Sequence, residues 1–560
     1  MDLNSKKVLL VGWGTDNEED YFMYQGWYLT LKKIFPGIQR FDTKKNYFRF
    51  GKDKMNEMLI SFISGSNFDL IIFVMDEEEL YPETILKISE LKPNIKTMFT
   101  LSDDDVRFDH YSRYFAPLFD YVVTSQDFVK QYEKEGNSAS FHLDYNPAGL
   151  GKMDIPQIYD ICFVGRPKSD RAEILKYLIK NGVKVTLFGW DWYEDPELSG
   201  VFKGHLNQKD YAKVINQSKI NLSLTKTGYS EEKPIYNIKG RFFEIALCHS
   251  FQIAEYFKDI EKFFKEDKEI VLFRTKEELL KKVKYYLKDD KKRLQIAENS
   301  YKKVKKKFYR ETELRKIIIK IFKQPKRKIG IPKFDRSLYL IKENDFFIPK
   351  EDLKKKLQNI DYIHFYKKDV KNSMLKTDFQ IYSLEVTGKK ISCCDYYAHS
   401  DYLGNYLRLR TNFAFKRIGK DANKLISINQ LMADKDYFIE NIDSFKKIFY
   451  DKPASLLSHE NTAFISFPLT SIKHINYIDY ESMIKSFDIT YIKRLYSLIY
   501  QKKVLTDPLI YAIIMKYFAG RPFMLKYLVK AVSDKHNWDK MSVNRTYAKN
   551  SILEKFTRKI

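Results

Sequence analysis

The stretch "NIKGRFFEIALCHS", residues 237–250, carries three side chains that can do chemistry: Asn237, Arg241 and Glu244. They recur at spacings of four and three, so a helix places them on one stripe. Ile238, Phe242, Ile245 and Ala246 can then face a core. A carboxylate on that stripe can accept both hydroxyls of a ribose, and a neighbouring guanidinium can hold phosphate. The plainer alternative is an exposed Arg–Glu pair at i, i+3, worth roughly 0.2–0.5 kcal/mol.

Further cations lie upstream. "FVGRPKSDR" puts Gly165, Arg166, Lys168 and Arg171 on a turn from a strand into a helix. The free amides and dipole of a helix N-terminus attract phosphate, and three cations make the turn a candidate diphosphate site. It also reads as a solvated basic turn, and it lacks the spacing of a P-loop. "LFGWDWY" ends another strand with Gly189 and Trp190, and "FKGHL" adds Gly204 and His205. Such glycine turns let the backbone approach a nucleobase, or are simply tight turns.

Three acidic turns follow strands in the first 150 residues. Asp16, Glu18, Glu19 and Asp20 come after "KKVLLVGWG", whose Gly12 and Gly14 form the loop itself. Asp76 to Glu79 come after "FDLIIFVM", and Asp103, Asp104 and Asp105 after "IKTMFTLS". A positioned carboxylate or histidine is the usual agent for removing a hydroxyl proton, so Asp16, Asp104, Asp105 and His110 are candidate bases. The same residues suit helix starts: Ser102 or Asp103 can cap, and Asp16 with Glu19 resembles a capping box.

The elements that must position these groups alternate. Strand candidates and helical stretches take turns through residues 1–150, and the pattern restarts near 158 with "IYDICFVG", "VKVTLFGW", "KINLSLTKTG", "SFQIAEY" and "KEIVLFR". That alternation predicts an α/β fold of two doubly wound parallel sheets, residues 1–150 and 151–325, joined by the hinge-like "YNPAGLGKMDIPQ". Ligands of such sheets bind beyond the carboxyl ends of the strands, so facing domains share one cleft. Residues 326–560 read as a third, accessory module, mixed α/β and then helical. "IDYIHFYKKD" and "KKISCC" are its strand candidates; "SMLKTDFQIYSLEVTG", "DYESMIKSFDITYIKRLYSLIYQ" and "DPLIYAIIMKYF" are its helices.

Composition sets the outer limits. The chain has 560 residues, 44% hydrophobic and 16% aromatic, ample for large cores and an argument against intrinsic disorder. A net charge of +24 favours anionic partners: phosphate-bearing ligands, an anionic membrane surface or nucleic acid. The four cysteines have no zinc spacing and suit a reducing compartment. The N-terminus has no signal-peptide pattern, and no run of about eighteen apolar residues occurs. A cytoplasmic protein is expected, with the basic helices at 276–307 suited to the inner membrane face.

Taken in order, "YDICFVGRPKSDRAEILKYL", "VTLFGW", "DYAKVINQSKINLSL", "NIKGRFFEIALCHSFQIAEY", "EIVLFRTKEELLKKVKYYL" and "RLQIAENS" resemble the donor domain of GT-B-fold glycosyltransferases, most closely the spore-maturation (CgeB-like) group. "FTLSDDDVRFDHYSRYFAPLFDYVVTS" resembles the acceptor half. The resemblance implies a nucleotide-diphosphate sugar donor, most simply a UDP-sugar. Glu244 would then bind the ribose, Arg241 and Asn237 would sit by the phosphates or sugar, and Arg166 and Arg171 would face the diphosphate. It implies no obligatory metal, because cations and a helix terminus hold the leaving diphosphate in a GT-B cleft. The sequence departs from the family at Tyr236, where a second glutamate is common, and at Cys248-His249-Ser250, where a small turn is usual. The segment from "IDYIHFYKKD" to "LISINQLMADKDYF" is similar to the middle of a GT-A domain.

Three functions fit: sugar transfer to a bacterial surface glycan, lipid-linked precursor or protein; sugar transfer to modified DNA bases; and a non-catalytic nucleotide-sugar-binding scaffold.

Overall fold

The structure is a computed structural model. It describes residues 1–472 except 19–20, 76–78, 190–191, 193–194, 231–232, 237, 366–369, 401–403, 410–426 and 451–453. The helices expected at "DYESMIKSFDITYIKRLYSLIYQ" and "DPLIYAIIMKYF" lie outside the described residues, as do Glu19, Asp20, Asp76, Trp190 and Asn237.

The first sheet holds β1 (Val8–Gly12), β2 (Gln39–Asp42), β3 (Leu70–Val74), β4 (Lys96–Leu101), β5 (Tyr121–Thr124) and β6 (Ala139–Phe141). All pairings are parallel, in the order β2-β1-β3-β4-β5-β6. Its central strands β1 and β3 carry no polar side chain because both faces of the sheet are covered. Val8 and Leu10 point into one core, Leu9 and Val11 into the other. β2 and β6 escaped the sequence because edge strands of four and three residues carry little periodicity.

The second sheet contains β7 (Tyr159–Gly165), β8 (Val185–Gly189), β9 (Ser218–Ser223), β12 (Gln252–Glu255) and β13 (Val271–Phe273), ordered β13-β12-β9-β7-β8 and again parallel. A hairpin, β10 (Lys226–Ser230) and β11 (Lys233–Tyr236), is inserted after β9. The two sheets are the pair of doubly wound parallel domains expected from the alternation, and with the crevice between them they make the GT-B arrangement that the resemblance implies.

The helix Arg310–Lys323 returns to the first sheet. Its Leu314, Ile317, Ile318 and Ile321 join the core with Val8, Leu10 and Ile72. Arg310 is fully buried at the start of this helix and pairs with Asp144 at 3.1 Å, locking the crossover to the end of β6.

The third sheet is mixed: β14 (Leu338–Leu340), β15 (Tyr362–His364), β16 (Val370–Asn372), β17 (Ile391–Ser400), β18 (Gly404–Leu409), β19 (Leu431–Asp434) and β20 (Thr462–Ile472). Its path is β14-β15-β19-β17-β20-β16, with β18 paired to β17. Phe379 and Tyr382, on the helix Lys376–Thr387, and Ile465 and Leu469 on β20 enter the same core as Phe73 and Phe99 of the first sheet. The accessory module is thus built onto the first domain.

Candidate functional site

The crevice forms where three strands of the first sheet end. Ser102 and Asp103 follow β4, Gln126 follows β5 and Asp144 follows β6; opposite them lie Lys239 and Gly240 of the second domain. Gly240 immediately precedes the helix Arg241–Leu247. A Cβ at Gly240 would lie 2.5 Å from the Asp144 carbonyl oxygen and 2.9 Å from Tyr145 Cβ, so only glycine allows this approach. Lys239 makes no ion pair among the described residues. Burial pushes its ammonium down to about 8, with Arg171 and Lys168 acting in the same direction and Asp105 and Asp103 opposing.

Behind this opening two guanidiniums share one aromatic ring. Arg241 leaves the first turn of its helix and lies 5.2 Å from the Phe163 centroid; Arg171 lies 5.7 Å from the same centroid. Phe163 belongs to β7, two residues before Gly165, where a Cβ would fall 3.2 Å from Arg241 Nη2. Arg171 donates to the carbonyl oxygens of Arg166 at 3.1 Å, Leu224 at 3.0 Å and Lys226 at 3.4 Å. Neither arginine makes an ion pair among the described residues, and the Nε of each is buried without a hydrogen-bond partner. Burial, with Arg241 next in effect, pushes Arg171 down to about 10. Two cations held together without an ion-paired carboxylate, with Glu255 and Asp170 only partly opposing, leave a positive field that an anionic ligand would neutralise.

Lys168 and Arg166 are exposed on the turn above, and Lys226 pairs instead with Asp170. Glu255 holds the turn after β9: its Oε2 accepts from the amides of Thr225 at 2.9 Å and Lys226 at 3.0 Å.

Glu244 shares the helix with Arg241 but points elsewhere. It is 6% exposed, its Oε1 accepting from the Asn146 amide at 3.2 Å and its Oε2 from the Tyr211 hydroxyl at 2.7 Å. The expected stripe therefore divides, with Arg241 facing β7 and Glu244 facing the linker after β6 and the helix Gln208–Asn216.

Glycines expected near a nucleobase do come together. Gly189 (φ +129) donates to the Gly204 carbonyl at 3.0 Å, and a Cβ at Gly189 would come 2.1 Å from the Gly165 carbonyl oxygen. His205 follows on this loop and is half-buried. The buried tryptophan beside them is Trp192, whose Nε1 donates to the Gly165 carbonyl at 2.7 Å. His249, at the far end of the crevice helix, binds Glu298 at 3.0 Å and stacks on Tyr301 at 3.5 Å, a structural role.

The acidic candidates separate. Asp104 is 2% exposed, with Oδ1 accepting from Ser112 at 2.6 Å and Tyr132 at 3.0 Å, and Oδ2 from Thr124 at 2.6 Å. Burial raises its carboxyl above the usual range. This placement ties β5 to the helix Asp104–Arg107 and keeps the carboxylate out of contact with solvent. Asp105 is half-buried at the crevice side and accepts from Gln126 Nε2 at 2.8 Å. Asp103 is exposed at the lip in the left-handed region, φ 64. His110 sits half-buried in the π-helical turn Phe108–Ser112.

Asp16 lies over the β1–β2 end, two strands from β4. It is paired with Lys45 at 3.2 Å, and its amide donates to Asp42 at 2.8 Å. Gly14 also donates to Asp42, while Gly12 is required by the close approach of Met23 and the Val74 carbonyl.

Sequence reasoning passed over Lys239, Tyr211 and Trp192. A lone lysine reads as solvated; the signal for Lys239 was its position beside Gly240, where only a backbone in close contact needs glycine.

Residues 170–318 match the family model described as glycosyl transferase-like. This glycosyl transferase-like segment contains Arg171, Tyr211, Lys239, Arg241 and Glu244. No curated protein matches the chain. Among solved structures, the Anabaena HepE protein in complex with UDP and glucose is 12% identical, covering 57% of this chain and 100% of that one at a TM-score of 0.41. Sucrose-phosphate synthase from Thermosynechococcus elongatus is 11% identical, covering 57% and 99% at 0.40. A Rickettsia africae glycosyltransferase is 15% identical, covering 57% and 100% at 0.39.

Proposed function

We propose that the chain transfers a sugar from a nucleotide diphosphate, a UDP-sugar, to a hydroxyl acceptor, and that within the glycosyl transferase-like family it stands with the CgeB-like group. The observation that carries this is the pair Arg171 and Arg241 over Phe163, without carboxylate partners among the described residues and inside the family segment. The pair would hold the diphosphate and stabilise the charge it gains as the glycosidic bond breaks. Lys239 would add a third cation on the crevice side. The nucleobase would lie along Gly189 and Gly204, with Glu244 turning from Tyr211 to the ribose. The acceptor hydroxyl, on a surface glycan, lipid-linked precursor or protein, would enter beside Asp103 and Asp105, either of which can take its proton.

A thermal-shift panel of nucleotide sugars tests the reading. A ligand present at about 100 times its Kd adds roughly 2.7 kcal/mol, a readily visible shift. Stabilisation by UDP-sugars is the expected result; a panel in which no nucleotide sugar shifts the transition contradicts it.

A further inference from the structure

At one corner of the second domain the helix Lys276–Tyr286 turns into the helix Asp290–Lys307. Both bury one stripe in the domain core: Leu279, Val283 and Tyr286 on the first, Ile296 and Ala297 on the second. The opposite faces are basic. Lys281, Lys284, Tyr285 and Lys288 fall at i, i+3, i+4 and i+7, and Lys291, Lys292 and Leu294 continue the surface past the turn. All five lysines are exposed, and none of their side chains makes an ion pair or hydrogen bond among the described residues. Amid them stand two apolar groups open to solvent, Tyr285 at 50% and Leu294 at 62%.

The nearby acids do not neutralise this surface. Asp289 accepts from the Lys292 amide at 2.9 Å and the Tyr285 hydroxyl at 3.2 Å. Asp290 pairs with buried Arg293, and Glu298 with His249 and Lys302. Among the described residues Glu277 lies at the start of the outer stripe, and Asp290 is exposed beside Lys291 but committed to Arg293.

We infer that this corner is a docking surface for an anionic bilayer, with Leu294 and Tyr285 entering the headgroup boundary and the five lysines meeting lipid phosphates. Lysines of this kind are attracted to an anionic leaflet, and an exposed aliphatic chain gains by leaving water there. Nucleic acid fits less well. The one arginine at the corner, Arg293, is buried and committed, whereas base recognition draws on arginine, and an aliphatic leucine offers no ring for a base to stack on. Among the described residues no helix is long and apolar enough to cross a membrane, so the contact is with the surface. The first helix follows β13 and runs back about 16 Å toward the amino-terminal edge of the sheet, so the corner lies away from the crevice. The inference therefore stands independently of sugar transfer.

The test is co-sedimentation of the full chain with phosphatidylglycerol-containing vesicles and with pure phosphatidylcholine vesicles. Binding is expected to the first only, weakening as salt shortens the Debye length from about 30 Å to about 8 Å. The triple variant Lys284→Glu, Lys288→Glu, Lys291→Glu is expected to lower partitioning at least about a hundredfold. Leu294→Ser should lower it about fivefold with the salt dependence kept. The triple Lys350→Glu, Lys354→Glu, Lys355→Glu makes the same charge change on another exposed helix and should have little effect. Equal loss in both triples, equal binding to neutral vesicles, or duplex DNA binding that the corner triple abolishes while vesicle binding persists, would each overturn the inference.

Discussion

Tyr211 donates its hydroxyl to Glu244 Oε2 at 2.7 Å, while the other oxygen of that carboxylate accepts from the Asn146 amide. Glu244 thus links the crevice helix to the chain leaving the first domain. Glu244→Ala removes both of these buried hydrogen bonds, each worth about 0.5–1.5 kcal/mol. The variant should unfold at lower denaturant as well as bind nucleotide weakly. Tyr211→Phe keeps the Asn146 contact and should cost about 1–2 kcal/mol, with donor affinity retained or improved if the freed carboxylate makes the proposed ribose contact. Denaturant melts paired with nucleotide titrations check both outcomes.

Lys239 gives the crevice a pH signature. Its folded value, about 8, lies below that of the free side chain, so the unfolded chain binds more protons between that value and the ordinary lysine range. Stability contributed by this group therefore rises as pH increases through that window. Lys239→Met should stabilise the free protein below pH 8 and lose that advantage above about 10. A diphosphate beside Lys239 would restore its proton, so nucleotide binding near pH 9 should take up a proton. Calorimetry in buffers of different ionisation enthalpy measures the uptake.

Asp104 is predicted to be a stability residue. Removing it leaves the Ser112, Thr124 and Tyr132 hydroxyls without their common acceptor. Asp104→Ala should cost about 2–4 kcal/mol in denaturant melts. Because burial raises its carboxyl, the stabilising contribution is full in the acid range and declines as pH rises through the folded value. The pH profile of turnover in the softer variant Asp104→Asn should keep its shape, which a catalytic base would not allow.

Gly240→Ala should push the crevice helix off the Asp144–Tyr145 backbone, where the added carbon would otherwise lie 2.5 Å from the Asp144 carbonyl oxygen. Lower stability by about 1–3 kcal/mol and weaker donor binding are expected together, since Lys239 and Arg241 flank the displaced residue.

Much of this architecture is legible in the sequence, because buried parallel strands are continuous apolar runs and each turn between them is polar. β1, β3, β4, β5 and β7 announce themselves in that way. The spacing of Arg241 and Glu244 identifies the crevice helix but not its geometry. The helix starts at Arg241, so both residues lie in its first turn, and which neighbour each meets depends on residues 30 to 100 positions away, Tyr211 and Asn146 among them. Asp104 shows the same limit: an acidic run after a strand suits a cap, a base or a buried acceptor, and only the fold brings Thr124 and Tyr132 to it. The helix Arg310–Lys323 buries Ile317, Ile318 and Ile321 against the first sheet, and nothing local in the sequence says that it crosses back there.

The central claim is that Arg171 and Arg241 bind a diphosphate. Calorimetric titration of UDP, UMP and uridine into the unmodified chain and into Arg241→Ala tests it most directly. UDP is expected to bind at least about tenfold more tightly than UMP, with uridine weaker still, and Arg241→Ala should lose about 10–100-fold for UDP and little for uridine, as for one or two charge-assisted hydrogen bonds. Equal affinities for the three ligands, or UDP binding unchanged by Arg241→Ala, would contradict it.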